Sequence, residues 1–335
     1  MDYRNLGRTG LRVPPLCLGT MTFGLQCDEA TSFAILDKAF DNGIDFIDTA
    51  DVYPLGGDAT TTGRTEEIIG LWMKQRGNRD KIVLASKCAG AMGPGPNDTG
   101  RSRYHIHKAV DESLRRLQAD VIDLYQVHRF DPRTPIDETL RALDDLVRWG
   151  KVRNAGCSNY PAWRLADALA TSDRLGIARY DTLQPRYNLL YREIETELLP
   201  LCRSEGLGVI VYNPMAGGFL SGKYRKGDEP LEGGRFTLGN AGRMYQHRYW
   251  HDALFDAVDE LRGACESRNV AMATTAVAWV IAQPGITSAI VGASRPDQLD
   301  ASLAAADLEL DDGLRAACDA AWWSLPRRPV VDGYR

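Results

Sequence analysis

Several features that would assign this chain of 335 residues to a familiar class are missing from it. No apolar run reaches the about 18 consecutive residues that a transmembrane helix needs, so we expect no contact with a membrane. The first residues, MDYRNLGRTG, contain no apolar segment, so no secretory signal is expected. The seven cysteines are odd in number and never form a C-x-x-C pair, which disfavours disulfides and a zinc site. These absences predict a cytoplasmic protein with reduced thiols and no bound metal.

An excess of basic residues is also missing. The 40 Lys and Arg residues are outnumbered by 45 Asp and Glu residues, and no basic run stands out. The net charge of −5 and the absence of a basic run disfavour nucleic-acid binding, and we expect no nucleic-acid partner. Because α/β barrels are often this long and no linker or repeat divides the chain, we interpret residues 1–335 as a single domain.

The sequence does contain a regular alternation of strand-like and helix-like segments. Helical segments such as DEATSFAILDKAFDNG and EIETELLPLCRSEG separate the predicted strands and end in Gly, as helices often do. Strands that alternate with helices pair in parallel through right-handed crossovers, so eight such units predict a closed (β/α)8 or TIM barrel. The eight predicted strands lie in residues 14–20, 44–50, 81–87, 121–128, 152–159, 181–188, 206–214 and 286–294.

Two further segments interrupt this pattern. Residues 1–15, which include LGRTGLRVPP, predict a small β-hairpin that caps the barrel floor. Residues 221–246, after the seventh strand, are rich in Gly and polar residues, which predicts a long loop over the barrel mouth.

Polar residues lie where the predicted strands end, which is the catalytic face of such a barrel. Each residue alone has an ordinary explanation as a helix cap, a structural hydrogen-bond partner or the exit of a strand to water. Their occurrence together at neighbouring strand ends indicates a site instead. The residues are Asp48, Lys87, His128, Ser158, Asn159 and Gln184, with Tyr53 on the loop after the second strand.

Four of these side chains together form a possible proton donor, in which one residue gives the proton and the others assist it. A free tyrosine has a pKa of about 10, and an adjacent ammonium lowers that pKa. Lys87 would therefore activate Tyr53, Asp48 would hold Lys87 charged, and His128 would bind an incoming carbonyl or relay the proton. No nucleophilic Ser or Cys is coupled to the histidine in a recognisable motif, so a hydrolase is disfavoured. The missing reductant has to be supplied by a cofactor.

These residues resemble the aldo-keto reductase superfamily over essentially the whole chain, in its long-loop branch with bacterial aldo/keto reductases and potassium-channel β-subunits. The resemblance implies a TIM barrel that uses a nicotinamide cofactor, usually NADPH. It makes Tyr53 the general acid, pairs Lys87 with Asp48, and assigns His128 to orient the carbonyl. Asp51 lies outside the matched set, and we interpret it as solvated or capping. The matching segments are LGTMTFG, GIDFIDTADVY, GRTEEIIG, ASK, SLRRLQADVIDLYQVH, GKVRNAGCSN, LQPRYN, GFLSGKY and GASRPDQL.

The resemblance also implies a cofactor site across the barrel mouth. Tyr212 would stack on the nicotinamide ring, although an ordinary packed strand tyrosine is the alternative. Asn213 stands where the family often has Ser, and Ala301 and Ser302 replace the usual Glu and Asn near the adenine. No G-x-G-x-x-G motif follows a strand, so a Rossmann domain is not needed. The implied cofactor residues are Gly19, Thr20, Met21 and Asp48 near the nicotinamide ribose; Ser158, Asn159 and Gln184 at the carboxamide; and Tyr212, Asn213, Pro214, Met215, Gly217, Lys223, Arg235, Gly292, Ser294, Arg295 and Gln298 along the rest of the cofactor.

A preference for NADPH is expected because three cations lie in the segments after the seventh and eighth strands. Lys223, Arg235 and Arg295 are candidates for binding the 2′-phosphate. Arg295 is the best placed, because it opens the predicted helix after the eighth strand. The alternative is that Lys223 and Arg235 only solvate a mobile loop and that Arg295 is a plain surface residue.

The predicted reaction is reduction of a small-molecule aldehyde or ketone, and four questions stay open. A nucleotide keto-deoxysugar is an alternative substrate, and an NADPH-binding regulatory subunit is a non-enzymatic alternative. The protein could be a monomer or a homo-oligomer. Trp322 or Trp323 could wall a substrate pocket or pack in the core.

Overall fold

The computed structural model describes residues 1–326 and contains a closed barrel of eight parallel strands. Strands β3 to β10 follow one another around the barrel in chain order, and β10 pairs with β3 to close it. The predicted TIM barrel and all eight predicted strands are therefore confirmed. The barrel strands are β3 (Leu16–Gly19), β4 (Phe46–Asp48), β5 (Val83–Cys88), β6 (Ile122–Val127), β7 (Val152–Ser158), β8 (Thr182–Gln184), β9 (Gly208–Tyr212) and β10 (Ser288–Gly292).

The predicted hairpin is confirmed as β1 (Arg4–Asn5) paired antiparallel with β2 (Arg12–Val13). Leu6 and Val13 of this hairpin belong to the apolar cluster inside the barrel. The N–H of Arg8 donates to the carbonyl of Gly206, just before β9 begins. The hairpin therefore closes the end of the barrel where the strands start. The other members of the inner cluster are Cys17, Phe46, Ala85, Leu124, Ile210 and Ile290.

Helices cover the outside of the barrel and bury a second, larger apolar layer against it. No helix within residues 1–326 is both long and apolar enough to cross a membrane. The helices are α1 (Glu29–Asp41), α2 (Arg64–Arg76), α3 (Arg103–Leu117), α4 (Ile136–Arg148), α5 (Ala162–Leu175), α6 (Leu198–Glu205), α7 (Gly239–Tyr249), α8 (Asp252–Glu266), α9 (Met272–Ala282), α10 (Asp300–Ala304) and α11 (Asp312–Trp323).

Helix α6 begins later than its sequence pattern predicts. The segment EIETELLPLCRSEG starts at residue 193, whereas Glu193–Glu195 form a short 3-10 turn and α6 begins at Leu198. Pro200 accounts for the difference, because proline has no N–H to bond the carbonyl four residues earlier. A proline is tolerated only in the first turn of a helix, which is where Pro200 lies.

The predicted long loop after the seventh strand, residues 221–246, contains helical segments in its second half. A short 3-10 helix, Arg235–Thr237, and the first part of α7 lie in this segment. Aromatic rings hold it together, because Phe236 packs edge-on against Tyr224 at 5.4 Å and against Trp250 at 4.9 Å. The rings supply an apolar core that the many Gly and polar residues of the segment hide from a sequence pattern.

Candidate active site

Strand pairing brings the predicted polar residues to one end of the barrel. Gly19 pairs with Asp48 between β3 and β4, and Asp48 pairs with Ala85 of β5. Lys87 lies two residues beyond Ala85, on the same face of β5. Its Nζ is 2.5 Å from Asp48 Oδ1 and 2.7 Å from the carbonyl oxygen of Thr49. The two strand ends therefore hold a buried ion pair at the barrel mouth.

The ammonium of Lys87 stays charged in this buried position. Burial lowers the pKa of Lys87, but the negative charge of Asp48 acts in the opposite direction, and the pKa ends above its ordinary value. The other carboxylate oxygen, Asp48 Oδ2, accepts hydrogen bonds from Gln184 Nε2 at 2.8 Å and Gln126 Nε2 at 3.3 Å. Every oxygen of the buried carboxylate thus has a donor.

Sequence reasoning missed Gln126 as a member of this cluster. Gln126 is fully buried on β6, and it lies two residues from both Leu124 and His128, so the three side chains share one face of the strand. Leu124 belongs to the apolar cluster inside the barrel. A period-two reading that started from Leu124 would have identified Gln126 as inward-facing.

Tyr53 lies on the loop after β4, beside both the ammonium and the imidazole. The Nζ of Lys87 is 5.1 Å from the centroid of the Tyr53 ring, and the ring of His128 packs edge-on at 5.8 Å. Burial raises the pKa of Tyr53, and the charge of Lys87 offsets only part of this effect. Lys87 therefore acts on the pKa of Tyr53 in the expected direction, but burial outweighs it and the net pKa is raised. Tyr53 carries its proton at neutral pH, as a proton donor has to.

His128 directly follows β6, and its backbone N–H donates to the carbonyl of Cys88 at 2.9 Å. Burial and the positive charges of Lys87, Arg129 and Arg101 hold the pKa of His128 well below its usual range. The imidazole is therefore neutral at physiological pH. A neutral imidazole can donate a hydrogen bond from one ring nitrogen and accept one at the other, but it has no second proton to give to a substrate.

The residues predicted to hold the carboxamide form one hydrogen-bond network. Ser158 Oγ donates to the carbonyl of Gln184 at 2.8 Å, and Asn159 Nδ2 donates to Ser158 Oγ at 2.9 Å. Tyr212 Oη donates to Asn159 Oδ1 at 2.8 Å. Because Gln184 Nε2 donates to Asp48, the Oε1 of Gln184 is the side-chain atom left to accept from a ligand.

The residues predicted near the nicotinamide ribose line the β3 side of the mouth. Thr20 Oγ1 donates to the carbonyl of Asp48 at 2.9 Å, and the carbonyl of Met21 accepts from the N–H of Leu55. A Cβ on Gly19 would lie 2.5 Å from Cγ2 of Ile290. A larger residue at this position would require the Ile290 side chain to shift.

The segment from Asn213 to Gly217 makes a tight turn after β9. Asn213 has a φ of +66°, and its Oδ1 accepts from the N–H of Gly217 at 2.5 Å. Its Nδ2 donates to Tyr249 Oη at 2.8 Å. Pro214 and Met215 lie within this turn, so the four predicted phosphate-side residues form one unit. Sequence reasoning missed Tyr249, because residues 221–246 were interpreted as a loop and α7 was not predicted.

The three predicted cations lie around the far end of the same mouth. Burial and the nearby charge of Arg295 lower the pKa of Lys223. The guanidinium carbon of Arg235 is 5.7 Å from the ring of Tyr245, and its Nη1 is buried without a hydrogen-bond partner among residues 1–326. Arg295 pairs with Asp297 at 3.2 Å, and both side chains are 65% exposed.

The helix predicted to open at Arg295 is shorter than expected. A 3-10 helix of four residues, Pro296–Leu299, comes first, and α10 contains only five residues. A short 3-10 helix aligns few peptide dipoles, so Arg295 itself carries more of the attraction for an anion than the helix end does. Gln298 Oε1 accepts from the N–H of Ser294 at 2.8 Å, and Gly292 ends β10 nearby.

Asp51 is not solvated, so this interpretation is wrong. Its side chain is 0% exposed, and neither carboxylate oxygen has a hydrogen-bond partner among the described residues. Burial and the charge of Glu66 raise the pKa of Asp51 well above its ordinary value, against the effect of Arg116. Glu66 already pairs with Arg116 at 2.8 Å, so the carboxyl of Asp51 has no cation left to pair with in this group.

We expect Asp51→Asn to stabilise the protein at neutral and alkaline pH. Because the folded state raises the pKa of Asp51, folding is favoured when this carboxyl is protonated, and that stability is lost as the pH rises through the folded-state pKa. Asparagine cannot ionise, so the variant should not show this loss and should be more stable than the unmodified protein at pH 8. Urea unfolding at pH 4 and pH 8 measures the effect.

Asp173→Asn, at an exposed position of α5, is the matched control and should not change this pH dependence. A stability gain for Asp51→Asn that is equal at both pH values would contradict the assignment of a neutral buried carboxyl.

The two tryptophans near the end of α11 differ in exposure. Trp323 is 70% exposed, so the proposed core role is wrong for this residue. Trp322 is half-buried. Residues 327–335, which follow these tryptophans, lie outside the described part of the chain.

Comparison with known proteins gives consistent matches along nearly the whole chain. The family model described as "Aldo/keto reductase family" matches residues 15–322. The uncharacterized oxidoreductase YrpG of Bacillus subtilis is 43% identical over 316 residues, which cover 93% of each chain. A probable voltage-gated potassium channel subunit beta of Arabidopsis thaliana is 37% identical over 92% of each chain. Norsolorinic acid reductase stcV of Emericella nidulans is 34% identical over 90% of this chain and 76% of its own.

Proposed function

This chain belongs to the aldo/keto reductase family, and from that premise we propose that it reduces an aldehyde or ketone to an alcohol with NADPH. The observation that carries the proposal is the position of Tyr53, a protonated phenol packed between the charged Lys87 and the neutral His128. A proton donor and a hydrogen-bonding group thus meet at the barrel mouth, where such enzymes act.

The residues of the site have distinct roles in this proposal. A nicotinamide cofactor, when bound, supplies hydride for the carbonyl carbon. Tyr53 donates its phenolic proton to the carbonyl oxygen as negative charge develops there. Lys87 stabilises the phenolate that remains, because its ammonium is held beside the ring by Asp48. The neutral His128 binds the carbonyl oxygen and orients it toward Tyr53.

The chemistry of the mouth is suited to an anionic dinucleotide. Arg235 keeps a buried guanidinium nitrogen without a partner among residues 1–326, which is costly unless a ligand satisfies it. Lys223 lies close enough to Arg295 for their like charges to interact, an arrangement that a phosphate between them would relieve. We assign these three residues to the phosphates, and Ser158, Asn159 and Gln184 to the carboxamide.

We expect Arg295→Ala to weaken the binding of NADPH while leaving that of NADH nearly unchanged. The difference should be about 1 to 3 kcal/mol, the range for losing hydrogen bonds to a charged group. Fluorescence titration with both cofactors measures the two dissociation constants. Arg174→Ala, which removes an exposed arginine of α5, is the matched control.

Equal weakening of both cofactors in Arg295→Ala would show that Arg295 contacts another part of the dinucleotide. Equal affinity of the unmodified protein for NADPH and NADH would overturn the assignment of NADPH.

A regulatory role is the competing proposal, because two relatives are named as probable potassium channel β-subunits. The complete set of Tyr53, Lys87, Asp48 and His128 favours an enzyme, since a purely cofactor-binding protein needs no proton donor. Purified protein with NADPH and a panel of aldehydes and ketones tests the choice. Oxidation of NADPH that depends on the added carbonyl supports an enzyme, and its absence across the panel supports the regulatory role.

A further inference from the structure

Arg129 is an unpaired cation at the edge of the candidate active site. It directly follows His128 at the end of β6, and its side chain is exposed. Within residues 1–326, its guanidinium takes part in no ion pair or hydrogen bond. Its positive charge is one of the causes that lower the pKa of His128, the residue that precedes it in the chain.

The nearest carboxylate along the chain does not neutralise Arg129. Asp131 Oδ2 pairs with Arg101 Nη1 at 3.3 Å. Asp131 Oδ1 accepts from the backbone N–H of Arg133 at 3.0 Å and from its Nε at 3.2 Å. Both oxygens of Asp131 are therefore occupied by other donors. This contrasts with most arginines of α2 to α5, which pair with a carboxylate nearby.

The loop that carries Arg129 is held in place by buried contacts of its backbone and of the next residue. The buried guanidinium of Arg101 donates from Nε to the carbonyl oxygen of Arg129 at 2.8 Å. The next residue, Phe130, packs edge-on against Tyr160 at 5.7 Å and under the guanidinium of Arg164 at 4.6 Å. The backbone of Arg129 is thus fixed beside His128, so an ordered side chain there loses less entropy on binding than one on a free loop.

We infer that Arg129 binds an anionic group of the substrate, so that the substrate is a carbonyl compound that carries a carboxylate or a phosphate. This inference rests on the proposed function, since it names the substrate class of the same site. Lys87 is neutralised by Asp48 and Arg101 by Asp131, so Arg129 is the cation next to His128 that has no carboxylate partner within residues 1–326. A guanidinium without a protein partner can bind a carboxylate or a phosphate through two parallel hydrogen bonds.

The test compares binding of matched charged and neutral ligands. The dissociation constants of 4-carboxybenzaldehyde and its methyl ester are measured by isothermal titration calorimetry with NADP⁺ present, so that no turnover consumes the aldehyde. In the unmodified protein, we expect the carboxylate to bind about tenfold more tightly than the ester, an ordinary value for one exposed charged hydrogen bond. Added salt should reduce this ratio, because the guanidinium is exposed.

Three variants identify the residue responsible for the preference. In Arg129→Gln the ratio of the two dissociation constants should fall to about one, whereas Arg129→Lys should keep part of it, because the charge remains. Arg174→Gln, which removes an exposed arginine far along α5, should keep the full ratio. A wild-type ratio near one, or a ratio that survives in Arg129→Gln, would overturn the inference.

A second pair of ligands, glyceraldehyde 3-phosphate and glyceraldehyde, distinguishes the two anions. A larger ratio for the phosphate pair than for the carboxylate pair would assign a phosphorylated substrate, and the reverse would assign a carboxylate. Reduction is measured separately as NADPH oxidation with the same aldehydes. A binding preference that depends on Arg129 without any reduction would overturn the proposed function and leave the anion site standing.

Discussion

Tyr53→Phe is expected to lower carbonyl reduction at least about 10²-fold, the usual contribution of a placed general acid. The substitution removes one oxygen atom and keeps the ring that packs against His128 and Lys87. NADPH binding should therefore stay close to normal, since none of the predicted phosphate or carboxamide contacts involves this hydroxyl. Steady-state kinetics with a reactive aldehyde and a fluorescence titration with NADPH measure the two effects separately.

Tyr104→Phe provides a matched control for Tyr53→Phe. Tyr104 lies on α3 and its side chain is largely exposed, so loss of its hydroxyl should leave turnover unchanged. Near-normal turnover in Tyr53→Phe would refute the assignment of Tyr53 as the proton donor. A parallel loss of turnover and NADPH affinity would instead point to a disturbed fold of the loop after β4.

Lys87→Met is expected to be at least as damaging as Tyr53→Phe. Lys87 is the group whose charge lowers the pKa of Tyr53 against the effect of burial, so without it the pKa of the phenol rises further. A phenol of higher pKa is a weaker acid, and the proton transfer slows. The pH dependence of kcat should lose its alkaline limb or shift it upward, which steady-state assays across pH 6 to about 10 would measure.

Stability has to be separated from catalysis in this variant. Removing Lys87 leaves Asp48 buried without its cation, which costs about 3 to 5 kcal/mol in comparable buried pairs. The double variant Asp48→Asn with Lys87→Met removes both charges and should recover much of that stability, as thermal unfolding would measure. Turnover should stay low in the double variant. An unchanged pH profile in Lys87→Met, with the fold intact, would make Lys87 a structural residue only.

The architecture could be predicted from the sequence because its signals are local. Each barrel strand is a short apolar run, and each intervening helix repeats its apolar positions on one face, so eight alternations suffice to predict the barrel. Parallel strands bring their carboxyl ends to one edge, so the sequence alone is enough to group Asp48, Lys87 and His128. The helix α7 was missed because its stability comes from aromatic contacts with residues distant in the chain.

The protonation states of the site depend on the folded structure. The sequence is sufficient to group Tyr53, Lys87 and Asp48, but the raised pKa of Tyr53 depends on how deeply the folded chain buries the phenol. In the same way, Asp51 could not be recognised as a buried neutral acid, nor Arg129 as an unpaired cation, from their neighbours in sequence. The burial of a side chain and its pairing with other charges depend on residues from several strands and loops. These residues come together only in the folded barrel.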